Sequence, residues 1–318
     1  MQDRARVLRQ ALLTILLVPA AAPAADRVVA VTFDDLPAGS VAANDVASLR
    51  ALTGKLLGAI GERGIPAVGF VNEVKLVATD GGRDVAGRTD LLRMWVDAGL
   101  ELGNHTYSHP DLNRTALASF EADVIEGETV TRRLLEAKGK RLRYFRHPFL
   151  HVGDTLEKRR AFESFLAGRG YTVAPVSVDN DEYVYAAVYA DALRRGDAAA
   201  AQRVGDDYVR YVGEVFTFFE GVSRRTLGRD MRHVLLLHAN ALNADRFGEA
   251  ADALGRRGYR FVPLEDALQD AAYRQPDTFV GAPGNSWLNH WEVTAGRAPV
   301  PTPGAAAWIG EAYSALSR

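Results

Sequence analysis

From residue 28 onward, short apolar or β-branched runs alternate with longer segments whose apolar residues recur at helical spacing. The runs cover 28–33, 67–71, 100–104, 142–146, 172–178, 234–237 and 259–262. Each is nearly unbroken in apolar character, which suits strands covered on both faces. Between the first two runs, Val46, Leu49, Leu56 and Ile60 fall on one face. Asn44-Asp45 precedes them and Gly61 and Gly64 follow, which predicts a capped helix. Helical spacing recurs over 89–98, 115–138, 155–168, 191–223 and 245–258. Strands alternating with helices predict an α/β fold with a parallel sheet or barrel of about seven strands.

Two stretches depart from the alternation. Residues 183–230 are too long for a simple crossover and predict a helical insertion of two helices, one rich in alanine. The segment 275–303 is dense in Gly and Pro and predicts an irregular surface tail. Within it, Trp287-Leu-Asn-His-Trp291 is too apolar to be left in water and is expected to pack on the barrel. With no internal repeat or linker, the expected organisation is a single domain over residues 25–273 with a tail over 274–318.

The first residues do not fit that pattern. Arg4, Arg6 and Arg9 precede a short apolar run, and Ala22-Pro23-Ala24 supplies small residues at the −3 and −1 positions of a cleavage site. The run is well short of the ~20 residues that span a bilayer, so residues 1–24 are expected to be a signal peptide of an exported protein without stable membrane insertion. A formal net charge of −2 gives no electrostatic case for nucleic-acid binding. The chain has no cysteine, which excludes disulfides, thiolate metal sites and a cysteine nucleophile. Any metal must be held by His, Asp or Glu.

The polar residues gather where the apolar runs end. Run 28–33 leads into Asp34-Asp35, and run 100–104 into His105-Thr-Tyr-Ser-His109. Arg146-His147-Pro148-Phe149 closes the fourth run, Asp179-Asn-Asp181 the fifth, and His238 the sixth. Barrel enzymes build their active sites at that end of the strands. Taken singly, each has a plainer reading. An Asp-Asp pair after a strand reads as a turn with a helix cap, and Arg146 as a structural ion-pair partner. A His-x-x-x-His pair reads as surface histidines, or as two imidazoles one helical turn apart gripping a cation. His238 alone reads as a satisfied core histidine. Their coincidence on one edge of one sheet is what demands an explanation.

Together they resemble the polysaccharide deacetylase family, the NodB-homology or carbohydrate esterase family 4 group. Thr32-Phe-Asp-Asp35 is similar to the family's first motif, His105-Thr-Tyr-Ser-His109-Pro110 to its second and Arg146-His-Pro-Phe149 to its third. Asp179-Asn-Asp-Glu182-Tyr183 is similar to the fourth, usually D-x-x-D-W, and Leu235-Leu-Leu-His238 to the fifth. The resemblance runs in order across roughly residues 28–265 and implies a distorted (β/α) barrel. It implies a hydrolase that deacetylates an N-acetylated carbohydrate with one divalent metal ion, zinc by preference, with cobalt or nickel as alternatives. Asp35, His105 and His109 are then the ligands and Asp34 the general base, held ionised by Arg146. His238 becomes the general acid, oriented by Asp179. The Phe149 backbone N–H serves the oxyanion and Tyr183 lies at the substrate.

Leu36-Pro37 replaces the family's usual glycine, and Glu182 and Tyr183 stand where Asp and Trp are usual; these changes bear on substrate fit and remove no ligand. Ester deacetylation, hydrolysis of a small non-sugar amide, and a silent carbohydrate-binding protein are the alternatives on the same residues. His147 and His151 are expected to be structural or solvent-facing, while His233 and His290 have no motif support.

Overall fold

The computed structural model describes residues 27–77 and 84–316; the expected signal peptide lies outside them. The strands are β1 (Val28–Leu36), β2 (Val68–Val71), β3 (Glu101–Asn104), β4 (Tyr144–Phe145), β5 (Thr172–Val173), β6 (His233–His238) and β7 (Arg260–Phe261). The helices are α1 (Val46–Glu62), α2 (Val85–Asp97), α3 (Leu117–Glu126), α4 (Thr129–Glu136), α5 (Leu156–Gly168) and α6 (Glu182–Arg194). They continue with α7 (Ala198–Leu227), α8 (Ala241–Arg256), α9 (Leu264–Ala267), α10 (Trp287–Thr294) and α11 (Ala307–Leu316).

All strand pairings are parallel, in the order β5-β4-β3-β2-β1-β6, with β7 pairing the start of β1. A bridge between Val178 and Leu235 brings the chain after β5 onto β6, curving the sheet toward closure as a distorted, helix-surrounded barrel. β1 is the centre: Val29, Ala30, Val31 and Phe33 are each essentially without exposure, as a strand covered on both faces requires.

Caps set the helix starts. Asp45 accepts from Ser48 N–H at 2.9 Å, Thr155 from Lys158 N–H at 3.2 Å, Asp197 from Ala200 N–H at 2.9 Å and Asn240 from Asn243 N–H at 2.9 Å. The expected helix 115–138 is two helices, broken at Gly127. A Cβ there would lie 2.4 Å from the Thr106 carbonyl carbon, so the break lets the loop after β3 pass close to the helix. Buried Glu73 caps the second piece, accepting from Thr131 N–H at 2.7 Å and Val130 N–H at 2.9 Å.

The tail is more regular than its Gly and Pro content suggests. It carries α10 and α11, and Trp287 and Trp291 are buried as expected. Burying those two rings offsets the poor local propensity.

Candidate active site

The C-terminal ends of β1, β3, β4 and β6, with the segment after β5, converge on one cleft of about 770 Å³. Asp35, His105 and His109 face one another in it, and one ligand atom from each lies within 4.8 Å of the others. His105 Nε2 and His109 Nε2 are 3.9 and 3.8 Å from Asp35 Oδ1. The two histidines do not sit on a helical turn. They converge through a loop in which Thr106 (φ 69°) and His109 (φ 61°) are left-handed.

Neighbouring side chains hold that loop: Thr106 N–H donates to Asn104 Oδ1 at 2.7 Å, His109 N–H to Thr106 Oγ1 at 3.0 Å, and Asn72 Nδ2 to the His105 carbonyl at 2.6 Å. His105 Nδ1 lies 2.8 Å from the Arg146 carbonyl. A carbonyl can only accept, so Nδ1 carries the proton and Nε2 presents a lone pair to the cleft.

This donor set fits a divalent cation. Asp35 Oδ1 is buried and accepts no hydrogen bond, an arrangement costly for a carboxylate oxygen unless a cation meets it. Burial and the charge of His109 push His105 well below its ordinary pKa, and burial lowers His109. Both imidazoles are therefore neutral at physiological pH. Burial pushes Asp35 upward, but Lys75, His238 and the two histidines outweigh it and hold it below the usual carboxylate range. Lys75 was not foreseen. It sits on the 3-10 turn Glu73–Leu76 after β2, its Nζ 3.2 Å from Asp35 Oδ2 and 3.1 Å from the Asp35 carbonyl.

Beside these three residues, Asp34 pairs with fully buried Arg146, whose Nη1 donates at 3.2 and 3.3 Å. Arg146 is itself fixed by Thr32 Oγ1 at 2.9 Å, by the Ala174 carbonyl at 2.9 Å and by the Phe70 ring beneath it. The expected pair is present, but its effect on Asp34 is smaller than expected. Burial is the largest influence and raises Asp34 to about 6 against the pull of Arg146 and His238. A carboxyl at that level is ionised at neutral pH and close to the optimum for a general base.

The carboxylate that holds His238 is Glu182, not Asp179. Glu182 Oε2 lies 2.7 Å from His238 Nδ1, while its Oε1 accepts from Asn240 Nδ2 and from Asn243 Nδ2 at 2.9 Å. Burial acts against the charged imidazole, but Glu182, aided by Asp35 and Asp34, lifts His238 to about 9. Asp179 lines the cleft, accepts from Asn180 N–H at 2.9 Å, and is raised by burial to about 7. The cause is local: the chain bends after Asp179, α6 begins at Glu182, and the helix start aims Glu182 inward.

Residues 21–163, which carry Asp34, Asp35, His105, His109, Arg146 and Phe149, match the model of the polysaccharide deacetylase family. Over those residues, a little under half of its length, the chain is similar to that family.

Among curated relatives of this chain, a chitin deacetylase from Colletotrichum lindemuthianum is 27% identical over 155 residues, 49% of this chain and 52% of that protein. Another, from Arthroderma benhamiae, is 24% identical over 158 residues, 50% of this chain and 36% of that protein. The chain thus spans about half or less of the length of these relatives. A solved family 4 carbohydrate esterase from Streptomyces lividans, in complex with acetate, is similar at 23% identity, covering 77% of this chain and 97% of that one with TM-score 0.45. A peptidoglycan deacetylase from Bacillus subtilis is similar at 19% identity, covering 77% and 92%, with TM-score 0.46.

Two exposed aromatic rings stand at the cleft. Phe149, 55% exposed, sets its ring against His109 with centroids 4.5 Å apart. Tyr183, 47% exposed, meets Tyr313 edge-on. Phe149 and Leu150 are both left-handed, each with φ 56°, at a cost on the order of 1–3 kcal/mol per non-glycine residue.

The remaining histidines have local roles. His151 pairs with Asp111 at 2.7 Å, and His147 is packed among Phe145 and Phe162 and pushed by burial to about 3. His233 lies near Ser177 Oγ at 3.1 Å, and His290 stacks on Phe279.

Proposed function

We propose that this chain is a metal-dependent hydrolase that removes acetyl groups from an N-acetylated carbohydrate. One observation carries the reading. A three-donor cation site, a carboxylate poised at about 6 and a carboxylate-backed histidine at about 9 share a single cleft. A binding protein needs none of the three. The chitin deacetylases, matched along about half of the chain, favour a chitin-like glycan as substrate.

Asp35, His105 and His109 would hold the metal. Two imidazoles and one carboxylate suit zinc, with cobalt and nickel also compatible with this donor set. Such an ion polarises an acyl oxygen and acidifies a water at neutral pH. Asp34 accepts the proton of the water that attacks the acetyl carbon, and Arg146 fixes the direction of its carboxylate. The Phe149 N–H donates to the oxyanion that develops on the acyl oxygen. As the C–N bond breaks, His238 gives its proton to the departing nitrogen. Glu182 keeps His238 protonated and turned toward the cleft, and Tyr183 offers a ring to the sugar at the rim. The products are acetate and the free amine.

Among the described residues no helix is long and apolar enough to cross a membrane. The basic start, apolar run and Ala22–Ala24 support export, which N-terminal sequencing of protein made in cells tests.

The decisive experiment measures acetate release from N-acetyl oligosaccharides, chitin, O-acetyl xylan and small acetamides, before and after chelation and metal restoration. Metal-restored release from N-acetyl glycans is expected. Release from O-acetyl substrates alone would reassign the chain as an ester deacetylase, and no release from any substrate would remove the enzymatic reading.

A further inference from the structure

We propose that the tail segment around Gly284 is a strut that sets the geometry of the Phe149 amide, making Gly284 a positioning residue for deacetylation. The inference rests on the reading in which the Phe149 N–H meets the oxyanion.

Phe149 and Leu150 are adjacent non-glycine residues in the left-handed region. Two turn hydrogen bonds, Leu150 N–H to the His147 carbonyl at 3.1 Å and His151 N–H to the Pro148 carbonyl at 3.0 Å, are the local support for that conformation, and they close a turn that right-handed residues would close as well. The loop must therefore be held from outside. The contact that can do so comes from the tail. A Cβ on Gly284 would lie 1.6 Å from the Phe149 carbonyl oxygen, 2.8 Å from its carbon and 3.0 Å from His151 Cδ2. Only glycine allows two backbones to meet this closely.

The strut is tied on both sides of that contact. Before it, Gly281 N–H donates to the Gly153 carbonyl at 2.7 Å, and Asn113 Nδ2 donates to the Gly281 carbonyl at 2.7 Å. Asn113 Oδ1 also accepts from Gly153 N–H at 3.0 Å, so one side chain clasps the tail to the loop. After it, Ser286 Oγ donates to the Ser177 carbonyl and Trp287 N–H to the Val176 carbonyl, both at 2.7 Å. The segment thus runs from the loop after β4 to the strand end leading into Asp179, and presses on Phe149 between. The left-handed region leaves Phe149 only a narrow range of ψ, so a displaced carbonyl carries the Cα and its amide with it. An oxyanion donor acts only when aimed at where the charge develops.

The test uses the metal-loaded full chain and an N-acetyl oligosaccharide. Gly284→Ala is expected to lower kcat on the order of 10²-fold, the effect of one misplaced oxyanion donor, with KM within about threefold. Bound metal and circular dichroism should match the wild type. Asn113→Ala removes that side chain's two hydrogen bonds without crowding Gly284, and about a tenfold loss in kcat with the same unchanged KM and metal is expected. If Gly284→Ala does not fold, Asn113→Ala decides alone. The proposal is overturned if kcat stays within about threefold of wild type in the folded variants, or if its loss merely tracks lost metal or a raised KM. A wild-type protein that releases no acetate overturns the functional reading and the strut with it. An active wild type with full-rate variants overturns the strut alone.

Discussion

Replacing Glu182 by Gln should move the basic limb of the pH–rate profile more than any other single change. Gln keeps the size of the side chain and removes the charge 2.7 Å from His238 Nδ1. His238 stands at about 9 against an ordinary 6.5, burial pulls it down, and Glu182 is the largest influence pulling it up. Without that charge it should fall to near 6.5. The difference corresponds to about 3 kcal/mol at 1.36 kcal/mol per pH unit. A general acid works only while protonated, so activity is retained below its pKa and lost above it.

At pH 8 roughly nine-tenths of the wild-type imidazole carries its proton, against about 3% in the variant, a loss of about thirtyfold. At pH 5.5 the two proteins should differ little in this respect. The assay is kcat and kcat/KM for acetate release across the pH range, with NMR titration of the His238 ring as a direct check. A basic limb that overlies the wild type's in folded, metal-loaded Glu182→Gln would refute the argument. Asp179→Asn should shift that limb in the same direction but less, because Asp179 makes no hydrogen bond to His238.

Asp34→Asn should reduce turnover by about 10²–10⁴-fold with bound metal retained, whereas Asp35→Asn should lose the metal; equal metal loss in both would refute the division of labour. His105→Ala should lose metal and activity together while the melting curve of the metal-free protein changes little, which metal analysis and calorimetry check. The acidic limb should lie at or below about 6, where Asp34 takes up its proton and stops serving as base, and a bound cation should move it lower still. Arg146→Met leaves Asp34 buried without its countercharge and should cost about 3–5 kcal/mol in urea unfolding near neutral pH. Without Arg146 the Asp34 carboxyl should rise above its wild-type level of about 6, so that cost should shrink as pH falls from the alkaline side toward about 6 and change little below it.

Residues 28–33 and 234–237 read as buried strands because a parallel strand covered on both faces leaves a continuous apolar run, and that signal is local. Asp34, Asp35, His105, Arg146 and His238 read as a site because strand ends are local too, and a shared sheet edge makes their convergence a matter of topology. Glu182 could not be separated from Asp179 in this way. Three positions apart, both are acidic residues after one strand, and only the start of α6 against Asn240 and Asn243 chooses between them. Lys75 reads as any surface lysine until the turn after β2 folds it over Asp35. The pairing of Asp34 with Arg146 was legible, but the level of about 6 was not, since desolvation belongs to everything packed around the carboxyl. The tail was least legible of all. Its Gly and Pro residues give a poor local signal, and α10 forms because the barrel offers Trp287 and Trp291 a surface to bury against. Sequence determined which groups stand at the mouth of the barrel, because chain direction and strand ends are properties of short segments. Which group touches which, and at what protonation state, was decided by tertiary packing, because hydrogen bonds and desolvation depend on neighbours brought from elsewhere in the chain.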